Sequence, residues 1–153
     1  MIFSVTHHSH SALADEALAL SRSREALAPR AVTDGRVSAQ DAADSIRAAQ
    51  AVAALFRAIA DHRDLPDAFD WRDAFGASAD EMRRTIAVAC TRAGDRASAR
   101  PDDAACADQS AALNAIAHEL RPFRTGNITP KIALIHALNQ QHRANQRHQS
   151  TTG

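Results

Sequence analysis

The chain has 153 residues, enough for one domain with a modest core and too few for two independent ones. Its 18 Lys and Arg balance 18 Asp and Glu, so net charge steers no partner, but the charges are unevenly placed. Every acid lies at or before Glu119, while Arg121, Arg124, Lys131, Arg143 and Arg147 follow it. The first 120 residues carry 13 cations against 18 anions, and the last 33 carry five cations and no anion. Two cysteines, Cys90 and Cys106, exclude a multi-bridge disulfide framework and lack metal-site spacing.

Helical periodicity runs through the whole chain. A first helix is expected over 11–28, with Leu13, Ala17, Leu20 and Leu27 on one face and Pro29 stopping it. After the turn signal Asp34-Gly35, Ser38 has the position of an N-cap, with Asp41 three residues on and Val37 placed to staple onto Ala42. Ala42, Ile46, Ala49, Val52, Phe56 and Ile59 then recur at three- and four-residue steps. The segment DLPDAFDWRDAFGAS, 64–78, breaks the pattern but holds Phe69, Trp71 and Phe75. It is read as a turn that folds back and plugs the core, with a binding patch as the alternative.

Ser78 and Glu81 form a capping-box signature for a third helix through Met82, Ile86, Ala89 and Ala93, with Gly94 as its expected C-terminal stop. A polar connector is expected over 94–101. Asp102 and Asp103 suit the positive end of a fourth helix, whose apolar face is Cys106, Leu113, Ile116, Ala117 and Leu120. Thr129 and Pro130 suit the N-cap and first turn of a fifth, carrying Ile132, Ile135 and Leu138. No internal repeat is present, and no run alternates at period two long enough for a sheet. The expected fold is all-α: one domain of about five helices with a short aromatic connector. A flexible N-terminus is expected over 1–10, the helical domain over 11–148 and a disordered tail over 149–153.

The composition also limits stability and location. Seventeen Arg against one Lys, with 36 Ala, point to a GC-rich, bacterial source. Alanine favours helix strongly. At about 25 cal/mol per Å² of buried apolar surface, however, an Ala-lined core gains much less than a Leu-lined one, which favours steadying by a partner or a second copy. No apolar stretch approaches the roughly 20 residues that span a membrane. MIFSVTHHSHSA lacks the features of a cleaved secretory signal. A cytoplasmic location is expected, with export by a non-cleaved signal as the alternative.

The segment HELRPFRTGNITPK, from His118, joins the fourth and fifth expected helices. PFRTGN, 122–127, resembles the active-site loop of the Fic family of nucleotidyl-transferring enzymes, whose motif reads His-Pro-Phe-x-(Asp/Glu)-Gly-Asn-Gly-Arg. Pro122, Phe123, Gly126 and Asn127 match, and Arg124 takes the variable position. The resemblance implies an anion-binding turn at a helix N-terminus. The departures remove the chemistry. Arg121 replaces the histidine that activates the attacking hydroxyl, and a guanidinium cannot accept a proton near neutral pH. Thr125 replaces the acid that holds magnesium. Ile128 and Thr129 replace the Gly-Arg that clamps phosphate. The loop thus resembles a catalytically degenerate descendant that retains an anion site. AHELR, 117–121, also resembles the phosphoacceptor box of histidine kinases, with His118 as acceptor beside Glu119, though Pro122 and Gly126 end the helix soon after.

Other constellations carry less. His7, His8 and His10 have no preorganised geometry, and His136, His142 and His148 are spaced six apart rather than four. No metal or cofactor is expected. The preferred reading is a non-enzymatic interaction or regulatory module whose basic C-terminal end docks an acidic protein surface. The anion- or partner-binding set is Arg121, Arg124, Gly126, Asn127, Lys131, Arg143 and Arg147. The alternatives are the degenerate Fic-like protein and a nucleic-acid binder that uses Lys131, Arg143 and Arg147 with Asn139, Gln140, Gln141 and Asn145. The sparse aromatics and the absence of a dense basic stripe weigh against the last.

Overall fold

The computed structural model describes residues 8–124 and 129–151. Among the described residues the fold is all-α, about 80% helical with no strands, and has six helices rather than about five. They are α1 (His10–Thr33), α2 (Ala39–Ala60), the short α3 (Trp71–Phe75), α4 (Ala79–Ala99), α5 (Ala104–Glu119) and α6 (Lys131–Thr151). The extra helix comes from the aromatic connector. A 3₁₀ turn, Ala68–Asp70, leads into α3, which Gly76 ends with φ +103°, a conformation that favours glycine.

The helix starts follow their caps. The side-chain oxygens of Ser9, Ser38, Ser78 and Asp103 accept backbone N–H groups of the first turns of α1, α2, α4 and α5. Ser78 and Glu81 complete the reciprocal capping box. Two helix ends differ from expectation. α1 passes through Pro29 to Thr33, because Pro29 lies on the exposed side, where water can take the Glu25 carbonyl that it leaves unbonded. α4 passes through Gly94, whose φ is not in the left-handed range, and ends at Ala99. Pro101 supplies the stop by forcing Arg100 to φ −130°, ψ 68°, out of the helical region. Residues 94–99 of the expected connector are therefore helix. α6 likewise runs through residues 149–151 of the expected tail.

α1 and α2 form an antiparallel pair, tied by Arg57 to Asp15 (2.7 Å) and by Gln50 to Glu25 (2.8 Å). α4 and α5 form a second pair, bridged by Arg96 to Gln109 at 3.0 Å. The core between them takes Leu13 and Ala17 from α1, and Val52, Leu55, Phe56 and Ile59 from α2. Met82 and Ile86 from α4 and Leu113 and Ile116 from α5 complete it. On α1 the buried stripe departs from the expected face. Leu27 is 63% exposed, and the stripe runs instead through Ser21, which bonds the Leu18 carbonyl, to half-buried Arg24. Arg24 donates to the Ser45 carbonyl at 2.9 Å and to both oxygens of Thr85, joining α1, α2 and α4. Burial, and secondarily the nearby Arg92 charge, lower its pKa. A guanidinium still stays protonated under such a shift.

Trp71 is the plug that the connector supplies. It is fully buried, donates Nε1–H to the Pro66 carbonyl at 3.0 Å and meets Phe75 edge-on at 5.9 Å. Phe69 is not part of it, at 80% exposure. Trp71→Ala is therefore expected to cost about 3–5 kcal/mol in urea unfolding, while Phe69→Ala stays within about 0.5 kcal/mol.

Glu81 ties α4 to α2 through Arg47 at 2.9 Å, with Arg72 at 3.8 Å. Burial disfavours its ionised form. The Arg47 hydrogen bond, the Ser78 N–H and the Arg47 and Arg72 charges outweigh that and hold its pKa below the usual carboxylate value. A depressed folded pKa stabilises the fold above the unfolded pKa, and this stability is lost as pH falls through the folded value. Unfolding followed against pH should show a loss of stability below the ordinary glutamate range that is smaller in Glu81→Gln.

Candidate functional site

The α5–α6 corner is built from its exit residue. Leu120 is fully buried and its N–H bonds the Ile116 carbonyl at 3.0 Å, fixing the end of α5. Its own carbonyl accepts Arg83 Nη1 from α4 at 3.1 Å, and Arg83 also pairs with Asp80 at 2.6 Å. The chain then leaves the helix and returns. Lys131 N–H donates to the Arg121 carbonyl at 2.7 Å, and an isolated antiparallel bridge joins Pro122 to Pro130. Buried Pro130 and Ile132 anchor the returning strand of chain in the core.

This closure leaves Arg121, Pro122, Phe123 and Arg124 exposed, with Phe123 59% exposed between the two arginines. Lys131 joins them at the base of α6. Its Nζ lies 3.5 Å from Nε2 of His118, which is itself exposed in the last turn of α5. Among the described residues, Arg121, Arg124 and Lys131 make no ion pair with an acid, unlike Arg47, Arg57, Arg72 and Arg83. Gly126 and Asn127 of the expected anion-binding set lie outside the described residues, as do Thr125 and Ile128.

Arg143 and Arg147 are elsewhere. They follow Lys131 by 12 and 16 residues, about 18 and 24 Å along the axis of α6. Both face the segment between α2 and the 3₁₀ turn, where they line grooves shared with Asp61, Asp64 and Asp67. The expected cationic set is therefore two groups: an open corner and a groove wall opposite acids of the same chain.

α6 also presents a different face from the expected one. Ile135 and Leu138 are 38% and 66% exposed, and the residues turned inward are Ile132 and His136. The reason lies at the end of α2. There His62 adopts φ +57° and closes the helix with bonds from His62 N–H to Ile59 and from Arg63 N–H to Ala58. This turn aims two carbonyls at α6. His136, 5% exposed, places Nε2 2.6 Å from the Arg63 carbonyl, and because a carbonyl only accepts, Nε2 carries the proton. Gln140 Nε2 donates to the His62 carbonyl at 2.5 Å and to Asp64 Oδ1 at 3.0 Å. Sequence reasoning missed both anchors. Their signal was a polar stripe, His136, Gln140, Arg143 and Arg147, continuing from Ile132 at helical steps. A second missed signal was aspartate at every third position from Asp61 to Asp73.

The remaining chemistry-bearing residues are quiet. Burial pushes the Cys90 thiol up, and burial with the Asp103 hydrogen bond and charge pushes up Cys106, so neither is activated as a thiolate. No group of three or more His, Cys, Asp or Glu among the described residues is arranged to hold a metal ion. No described helix is long and apolar enough to cross a membrane. No protein family, curated protein or solved structure matches the chain.

His136→Ala leaves the Arg63 carbonyl without its donor and is expected to destabilise the fold by about 1–3 kcal/mol in urea unfolding. Gln140→Ala, at a half-exposed site, should instead act locally, speeding amide exchange in α6 with little change in the global midpoint.

Proposed function

We propose that the chain is a non-enzymatic helical interaction module that docks an acidic surface of a partner protein through the α5–α6 corner. One observation carries this reading: Arg121 and Arg124 are exposed on either side of exposed Phe123, beside Lys131, with no carboxylate of the described chain paired to any of the three. Cations left unpaired in a protein that pairs many of its other arginines are available for an outside anion. An aromatic side chain between arginines is also a composition favoured at protein interfaces. Lys131, Ile135 and Leu138 share one outward face of α6, which would extend the same mixed cationic and apolar surface.

The same features weigh against nucleic acid as the partner. Arg143 and Arg147 face Asp61 and neighbouring acids, which would repel a phosphate backbone, so no continuous basic track runs along α6. The Fic-like resemblance of 122–127 is compatible with the docking reading. It supplies no chemistry: with arginine at 121 and threonine at 125, neither a proton acceptor nor a hard anionic metal ligand stands at the motif positions.

The Arg121→Ala, Arg124→Ala double variant should bind a polyglutamate peptide about tenfold more weakly than the wild type, with unchanged helical circular dichroism. Binding of the wild type should weaken as salt rises. Equal affinity of the two proteins would overturn the proposal. A single-stranded oligonucleotide that bound more tightly than the peptide at physiological salt would favour the nucleic-acid reading instead.

A further inference from the structure

The cations of the α5–α6 corner have a counterpart on the same molecule. On the 3₁₀ turn and α3, Asp67, Asp70 and Asp73 follow one another at three-residue steps, and all three are exposed. Phe69, between the first two, is 80% exposed. None of the three carboxylates is ion-paired among the described residues. Asp67 accepts the Phe69 N–H at 3.0 Å, a bond that leaves its charge in place. Arg72, the cation beside them, is engaged by Glu81 at 3.8 Å. The two short segments share one pattern with opposite sign. Asp-Ala-Phe-Asp at 67–70 and Arg-Pro-Phe-Arg at 121–124 each set an exposed phenylalanine between two like charges. Asp73 and Lys131 each add a third charge of the same sign as their segment. Position matters as much as sign. Asp67 and Ala68 line the same groove as Thr129 and Ala133 at the start of α6, and Pro130 is bridged to Pro122. The acidic and basic segments are thus neighbours across one groove, with no ion pair between them.

We propose that the acidic partner of the corner is a second copy of this chain. A two-fold axis sets Asp67, Phe69, Asp70 and Asp73 of each protomer against Arg121, Phe123, Arg124 and Lys131 of the other. This rests on the docking reading above and names its partner. Adjacent patches of opposite sign suit a two-fold contact, because rotation about an axis between them lays each patch on its complement and makes every contact twice. Patches on opposite sides of a molecule would build an open filament instead. Three anions meet three cations in each half of the contact, and both exposed phenylalanines are covered. The charges select the partner and are screened by salt, while the aromatic side chains add the apolar area that a stable interface needs. An alanine-rich interior that gains little from its own burial is steadied by such an outside contact.

The test is an exchange of charge, read by sedimentation velocity of the full chain. The wild type is expected to form a dimer that dissociates on dilution and as salt rises. Arg121→Glu with Arg124→Glu turns the corner acidic. Asp70→Arg with Asp73→Arg turns the connector basic and spares Asp67, which caps the 3₁₀ turn. Each double variant alone should associate about tenfold more weakly than the wild type, because like charges then face each other. An equimolar mixture of the two should recover a heterodimer, since both of its contacts again join opposite charges. Phe69→Ala should weaken the dimer about tenfold with unchanged helical circular dichroism. A wild type that stays monomeric at millimolar concentration and low salt would overturn the proposal, as would a mixture of folded variants that does not associate. Growth beyond a dimer would overturn the two-fold arrangement. If a monomeric wild type still bound the polyglutamate peptide, the docking reading would stand and only the identity of its partner would fail. If it bound neither, both would fail. Should a charge variant lose its helical signal, Phe69→Ala and the salt series decide, and a dimer indifferent to both would sink the proposed contact.

Discussion

An interior built from alanine can hold together only if its helices approach closely and its few large side chains sit where several helices meet. That constraint organises this protein. Alanines at 48, 49, 51, 53 and 58 line the buried side of α2, and Leu13, Phe56 and Trp71 occupy the gaps that alanine cannot fill. Trp71 arrives at the start of the short α3, on a connector that returns from the end of α2 and seats it with an indole hydrogen bond to Pro66. The same connector begins with the His62 turn, so the element that completes the core also offers the backbone carbonyls on which α6 rests.

Polar side chains share the work of apolar ones at the helix junctions. Arg24 donates into α2 and α4, and Arg47 reaches the Gly76 carbonyl and the Glu81 carboxylate. His136 ties α6 to the end of α2. No buried side-chain nitrogen or oxygen among the described residues lacks a hydrogen-bond partner. Such contacts add modest net stability, but each is costly to leave half made, and so they select one arrangement of rather featureless alanine faces over its neighbours.

The separation of charge along the chain acquires a spatial meaning in the fold. The acid-free C-terminal segment divides into a corner whose cations are open and a helix whose cations lie opposite the protein's own aspartates. Charges exposed in this way act on surrounding ions through a field that salt screens.

The all-α class, the caps at Ser38 and Ser78 and most of the α2, α4 and α5 core faces were legible in the residues, because capping and helical periodicity are local and act within a few positions. The stops at Pro29 and Gly94 were misread for the complementary reason: whether a proline or glycine ends a helix depends on exposure and on stronger signals further along, here Gly35 and Pro101. The cationic residues were also visible, but not their division into two groups, since side chains 12 to 16 residues apart on α6 meet different surroundings only after the helix is laid against the connector. Burial of His136 in place of Ile135, the depth of Trp71 beside the exposure of Phe69, and the facing of Arg143 and Arg147 toward Asp61 were decided by tertiary structure alone. Each depends on which backbone carbonyls and carboxylates a distant segment brings into reach, and no local pattern encodes that.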